Sequence, residues 1–378
     1  MPGTGGAVFD SFVSVEAVSG GVYFYAKLRT KGAAKVTAAN DFGVWFLNSL
    51  AVLPVLREGD SLTVPGPAVR TVTRIEALLP IKGASTERHV SPFNSPPRLA
   101  ARVLLSDKSQ AIAELIPNSA PQLVARTSIA DPSGRIPLKL GIPDSFQTGI
   151  AALVTWKPVL GVVTTKDDSA IVIHNPDGSV DVVVRESDLA PGLTGAKFLR
   201  FGDPIGARQT PIYENYVAFR ATVSGAGFTA ANNAGIWRYT AQPVGGNPPS
   251  APVLIARKGA EAPGTSGAKF TSFDSMATMD ENDFSVLFTG KLAGRGVKAT
   301  NNFGLWAADT GPTPKLVLRT GQQVTVGAST KTISLFSVLG PVLGTPTQHR
   351  ASESGGRRIA VRALFTDRTE GVLTVRVP

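Results

Sequence analysis

Three copies of N-x-x-G-x-W constrain this chain more than any other feature. They read Asn40-Asp41-Phe42-Gly43-Val44-Trp45, Asn232-Asn233-Ala234-Gly235-Ile236-Trp237 and Asn301-Asn302-Phe303-Gly304-Leu305-Trp306, and use three of the four tryptophans. Weaker echoes pair Asp107 with Ile112, Asp167 with Val172 and Asp367 with Val372. The leading residues stand at 40, 107, 167, 232, 301 and 367, with gaps of 67, 60, 65, 69 and 66. Six units of that size account for all 378 residues. A fixed period of this kind is the signature of a repeat architecture.

Two further markers keep the same register. Short apolar runs end in Arg57, Arg126, Arg185, Arg257 and Arg319, each 17 to 25 residues after its Asn or Asp. Three units open on Pro-Gly followed by Phe-x-x-Phe, with the first Phe seven residues after the Pro: Pro2 to Phe9, Pro191 to Phe198 and Pro263 to Phe270. Within the unit from Gly264, the runs KFTSFDSMAT, FSVLFTGKL, GLWAAD and KLVLRTG are short, β-branched or aromatic, and bounded by Gly, Pro, Asn or Asp, which reads as four sequential antiparallel strands. No stretch offers capped apolar periodicity of ~3.6, so few helices are expected.

A four-stranded sheet with two apolar faces must stack on neighbours, and four strands in such a unit suit a propeller blade, usually about 40–50 residues, with added loops. The predicted fold is therefore all-β: a six-bladed β-propeller of four-stranded antiparallel blades forming a single domain over 1–378. The blades fall near 1–60, 61–130, 131–189, 190–261, 262–322 and 323–378. Residues 98–115 resemble 357–375 at a displacement of 260, which suggests growth by duplication of blade pairs. The last blade runs out after its third strand, giving an expected 23 strands with the outermost one lacking. Either the natural chain continues, or this is an excised segment.

Composition narrows the rest. There is no Cys, which excludes disulfides, thiolate metal sites and a thiol nucleophile. No run approaches about 18 uncharged apolar residues, so no membrane-inserted helix is expected. The opening MPGTGGAVFD has no basic n-region or apolar h-region. The +10 net charge is spread without a polybasic run, which argues against specific nucleic-acid binding.

N-x-x-G-x-W repeated, with R-x-G-x-x-x-P-G-T-x-G-A-x-F linkers such as Arg257 to Phe270, resembles the bacterial choice-of-anchor tandem-repeat surface proteins. That resemblance implies an exported, surface-attached repeat protein of unestablished activity, and the function expected for it is that of a non-enzymatic binding or interaction scaffold. A looser likeness to the Asp-box hairpins of sialidase-type propellers keeps only the Asn/Asp, Gly and Trp.

The candidate residues divide by chemistry. Asn40, Asn232 and Asn301 are expected to bond turn backbone, Gly43, Gly235 and Gly304 to take positive φ, and Trp45, Trp237 and Trp306 to wedge between blades. Ser224 to Ala230 carries G-x-G-x-x-A, but a strand follows where a dinucleotide site needs a helix, and the pattern recurs at Gly294 to Ala299, so it reads as an inter-strand loop. The five arginines are predicted to lie on one side of the propeller. They either bond carbonyls and Asp107, Asp167 or Asp367 between blades, or form a cationic ring for an anionic glycan or carboxylate. His89, His174 and His349 come from separate units, and the Asn/Asp turns have too few carboxylates for calcium, so neither metal nor cofactor is expected. The partners left open are an anionic glycan and another surface protein, with the chain a monomer. The alternative to a non-enzymatic scaffold is a carbohydrate-active enzyme, sialidase-like hydrolase or lyase, for which Tyr213, Glu214 and Tyr216 form the nearest constellation.

Overall fold

The computed structural model describes residues 6–18, 20–30, 36–64, 69–76, 97–146, 149–203, 205–209, 215–241, 251–278, 286–309, 311–337, 351–352 and 358–377. Among them are 28 strands and no helix. His89, His349, Tyr213 and Glu214 lie outside the described residues.

The strands form six antiparallel sheets in chain order. The first runs β1 (Phe9–Val18), β2 (Gly21–Leu28), β3 (Phe42–Leu47) and β4 (Val52–Arg57). The second runs β5 (Ser61–Thr63), β6 (Val69–Glu76), β7 (Leu99–Leu105), β8 (Gln110–Leu115) and β9 (Gln122–Arg126). In the third, β10 (Pro137–Leu140) and β11 (Asp144–Phe146) share an edge of β12 (Gly149–Trp156), followed by β13 (Ser169–His174) and β14 (Val180–Arg185). The fourth repeats that plan: β15 (Lys197–Phe201) and β16 (Gly206–Gln209) on β17 (Asn215–Ser224), then β18 (Ala234–Ala241) and β19 (Val253–Arg257). The fifth is the plain meander β20 (Lys269–Thr278), β21 (Val286–Ala293), β22 (Phe303–Ala308) and β23 (Lys315–Arg319). The sixth holds β24 (Gln323–Val326), β25 (Ser329–Ser337), β26 (Ala351–Ser352), β27 (Arg358–Phe365) and β28 (Glu370–Arg376).

Five short strands account for the excess over the expected 23. β5 and β24 add hairpins to the opening strands β6 and β25, and β26 extends the partner edge of β27. β11 and β16 are the second halves of opening strands broken in two. The break after β10 contains Pro143, which has no N–H for the ladder. Among the described residues β28 pairs only with β27, where β8, β13, β18 and β22 each carry a further strand outside them.

Alternate residues on each strand feed different neighbours, because successive side chains leave opposite faces. In β12, Ile150, Ala152, Val154 and Trp156 pack toward the second sheet, while Ala151 packs toward the fourth. In β22, Trp306 and Ala308 face the fourth sheet while Leu305 and Ala307 face the sixth. Five apolar interfaces result, joining sheet one to two, two to three, and so on to six. The outer face of the first sheet, with Trp45 and Phe24, packs on Ala7 and Val36. Among the described residues no core cluster joins the sixth sheet to the first.

Candidate functional site

The three sequence markers converge on one aromatic unit. Trp237 stacks on Phe219 at 6.1 Å between ring centroids, meets Phe198 edge-on at 5.1 Å, and donates from Nε1 to the Pro191 carbonyl at 3.1 Å. Trp306 repeats this with Phe288 at 5.9 Å, Phe270 at 4.8 Å and Pro263 at 3.1 Å. Trp45 stacks on Phe24 at 6.0 Å and meets Phe9 at 5.1 Å. Trp237 lies between the third and fourth sheets and Trp306 between the fourth and fifth, whereas Trp45 stays with its own sheet and the N-terminal segment.

The motif glycines serve this unit differently from expectation. Gly43, Gly235 and Gly304 do not have positive φ. A Cβ there would stand 2.8, 2.7 and 2.5 Å from Cη2 of Trp45, Trp237 and Trp306 respectively, so the indole two residues on occupies the missing side chain's place. Positive φ falls instead two residues after each repeat arginine, at Gly59, Ser128, Ser187, Gly259 and Gly321.

That turn abuts the repeat Asn. A Cβ on Gly59, Gly259 or Gly321 would come within 2.7, 3.1 or 2.9 Å of the Cβ of Asn40, Asn232 or Asn301. Each Asn Oδ1 accepts from the backbone N–H three residues earlier, at Thr37, Thr229 and Lys298, at 2.7 Å. Asp167 does the same with Thr164 at 2.6 Å. Asp107 and Asp367 belong to a tighter hairpin and accept from the N–H two residues later, at Ser109 and Thr369.

The structure divides the five arginines rather than gathering them. Arg126 bonds Ser109 Oγ at 3.0 Å and pairs with Asp107. Hydrogen bonds from Ser109, then from Arg70, hold the Asp107 carboxyl well below the usual carboxylate range. Arg185 donates to the Asp167 carbonyl at 2.6 Å and the Val162 carbonyl at 3.1 Å, and pairs with the Asp167 carboxylate at 2.9 Å. Arg319 donates to the Asn301 carbonyl at 2.7 Å. These bonds tie the last strand to the preceding turn of the same sheet. They do not run between sheets, because the antiparallel register already sets each arginine beside its own turn. Arg57 has a buried Nη1 without a partner. Arg257 makes no side-chain hydrogen bond or ion pair to any described residue and lines a cavity of about 660 Å³ between the fourth and fifth sheets. Leu254, Phe270 and Pro263 wall that cavity, and the exposed Glu261 stands at its rim.

A second crevice, of about 240 Å³, opens between β9 and the face of the third sheet. Its floor holds Trp156, the tryptophan outside the repeat motif, and His174. Arg135 lies 4.4 Å from the Trp156 ring centroid and pairs with Asp131 at 3.3 Å. His174 is 6% exposed, and its Nε2 has no partner. Burial pulls the imidazole down to about 4, against the pull of Asp131, so it is neutral at pH 7. Sequence reasoning missed this site because both residues stand outside the period. The available signal was His174 closing the apolar run Ile171-Val172-Ile173.

Carboxylate pairs occur beside two of the arginine turns. Burial, then the hydrogen bond and charge of Asp168, push Glu186 up to about 7. Burial and the charge of Asp41, opposed by a hydrogen bond from the Ile75 N–H, push Glu58 up to about 6. The Glu186 carboxyl is hydrogen-bonded to that of Asp168, closer than the separation of about 5–9.5 Å between the carboxyls in glycoside hydrolysis. Asp41 and Glu58 are buried.

These features define an all-β protein of antiparallel sheets stacked in chain order on a repeated Pro–Phe–Trp frame. Its sequence matches the family described as "Family of unknown function (DUF7453)" over residues 153–378, and the chain belongs to that family. A comparison with curated proteins finds no match. Among solved structures, the chain is similar to the α-L-arabinanase of Penicillium chrysogenum complexed with arabinobiose, at 11% identity over 98% of this chain and 94% of that one, TM-score 0.39. It is also similar to the six-bladed β-propeller lectin of Aleuria aurantia, at 11% identity over 97% and 94%, TM-score 0.34. At these scores neither likeness carries an argument about this chain's ligand or the closure of its sheets.

Proposed function

We propose that the chain is a six-bladed β-propeller acting as a non-enzymatic extracellular binding scaffold, and that it takes an acidic saccharide in the crevice at Arg257. One observation carries this reading. Arg126, Arg185 and Arg319 are committed to their own turns, while Arg257 stands uncommitted in a cavity of about 660 Å³. Such a volume falls within the usual range for small-ligand sites. A guanidinium matches a carboxylate bidentately, and the Leu254 and Pro263 wall suits the apolar face of a sugar ring. The extracellular placement rests on the repeat's resemblance.

The test is binding of uronate-containing and neutral oligosaccharides at low and high salt, with Arg257→Ala as the control variant. Saturable, salt-sensitive binding of the acidic set, weakened about tenfold or more by Arg257→Ala without a change in melting temperature, is expected for a charge-assisted contact of about 1.5–3 kcal/mol. No binding at low salt, or a variant that simply melts earlier, refutes it.

A further inference from the structure

The crevice at His174 is walled on two sides, separate from the one at Arg257. Val154, Trp156, Val172 and Val180 of the third sheet wall one side, and β9 of the second sheet closes the other. A smaller cavity of about 130 Å³ lies against the same histidine, lined by Glu114, Gln122 and Asn175. The charged groups at the main cavity are already paired: Arg126 with Asp107, and Asp131 with Arg135. What remains unmatched is Nε2 of His174, buried among valines. A buried polar atom left without a partner costs about 1–3 kcal/mol, which a ligand's hydrogen bond would recover. An apolar cavity of about 150 Å³ is enough for benzene, so about 240 Å³ admits a ring bearing one or two substituents.

We propose that this crevice binds a small, uncharged, largely apolar molecule carrying a hydroxyl group, of the size and character of a phenol, with the hydroxyl on His174 Nε2 and the ring among Trp156, Val172 and Val180. A hydroxyl can donate or accept, so it matches either tautomer of a neutral imidazole. A charged ligand would enter without a counter-charge and bear the full desolvation cost.

Titration of the full chain with phenol, benzene and benzoate, followed by calorimetry and tryptophan fluorescence, tests the assignment. Phenol should bind saturably at one site, at least tenfold tighter than benzene, with no saturable binding of benzoate. His174→Leu keeps the volume and removes the polar atom, so phenol and benzene should bind it alike. Val180→Phe fills the cavity from β14, on the strand beside His174, and should abolish phenol binding even if His174→Leu does not fold. Absence of saturable phenol binding to the wild type overturns the proposal. So does a phenol preference that survives His174→Leu, or binding that survives Val180→Phe.

Discussion

Replacing Gly235 by Ala tests the packing role assigned to the motif glycine. The added Cβ would stand 2.7 and 2.8 Å from Cη2 and Cζ3 of Trp237 and 2.9 Å from the Ala256 carbonyl. To restore an ordinary contact the indole must retreat by roughly 0.7 Å, yet it is wholly buried, stacked on Phe219 and bonded to the Pro191 carbonyl. Overpacking of this kind costs about 1–3 kcal/mol, and loosening the Nε1 bond adds about 1 kcal/mol. A total near 3 kcal/mol is expected. With unfolding entropy of ~0.8 kcal/mol/K for a chain of this length, that is about 4 °C in melting temperature. The sharper measurement is a double-mutant cycle by denaturant titration. Trp237→Phe removes the colliding ring, φ at Gly235 is not positive, and the close contact that stays is the Ala256 carbonyl at 2.9 Å. Gly235→Ala should therefore cost much less in the Trp237→Phe background, with a coupling of at least about 2 kcal/mol. Additivity within about 0.5 kcal/mol, the behaviour of independent sites, would show that the glycine answers to the backbone and not to the indole.

The opposite logic applies two residues after the repeat arginines. Ser128 holds φ of 68°, a conformation costing about 1–2 kcal/mol in a residue with a Cβ, so Ser128→Gly should raise stability by about 0.5–1 kcal/mol in denaturant titration; a loss would refute the strain. The carboxylate pair beside Arg185 should leave a pH signature. Because the folded pKa of Glu186 is raised to about 7 from 4.5, its stabilising protonated form is fully present below about pH 4.5 and is lost as pH rises through about 7. Glu186→Gln should match the wild type near pH 4.5 and melt progressively higher than it between pH 5 and 8. A melting difference independent of pH would refute the raised Glu186 pKa.

The period was legible because the repeat is written in residues with few substitutes. Only an indole reaches from the third strand to the Pro191 or Pro263 carbonyl while covering the opening Phe, and only Gly leaves room beneath it. Backbone irregularities were not legible. The last strand of each of the first five sheets bulges at one register, skipping Val55, Val124, Val183, Ile255 and Val317. An apolar β-branched residue is equally at home in a regular strand, so its identity carries no sign of the bulge. Such bulges twist an edge away from further pairing. The split opening strands left a trace in Pro143 and Pro204, and the His174 crevice none in the period, since it uses residues that one unit has and the others lack.

The same distinction locates chemistry in this fold. What recurs between units is satisfied locally: the Asn oxygen on its turn, the indole on its proline, and three of the arginines on their own sheet. The turn that would receive Arg257 shows how one unit departs. In the third and fifth sheets the leading residue's carbonyl accepts the arginine at 2.6 and 2.7 Å. In the fourth, Lys258 of the same turn reaches back to the Ala230 carbonyl, and Arg257 is left facing the crevice. Lys258 takes a different carbonyl from that of Asn232, which corresponds to the acceptors in those sheets, so what the second cation brings to the turn is like-charge repulsion at short range. Lys258 occupies the position of Glu58, Thr127, Glu186 and Thr320. Its substitution by Thr, which in the fifth sheet bonds the Phe303 backbone on both sides at 3.2 Å, would free the turn to take Arg257 back. The crevice would then lose its uncommitted charge while the fold kept its repeat.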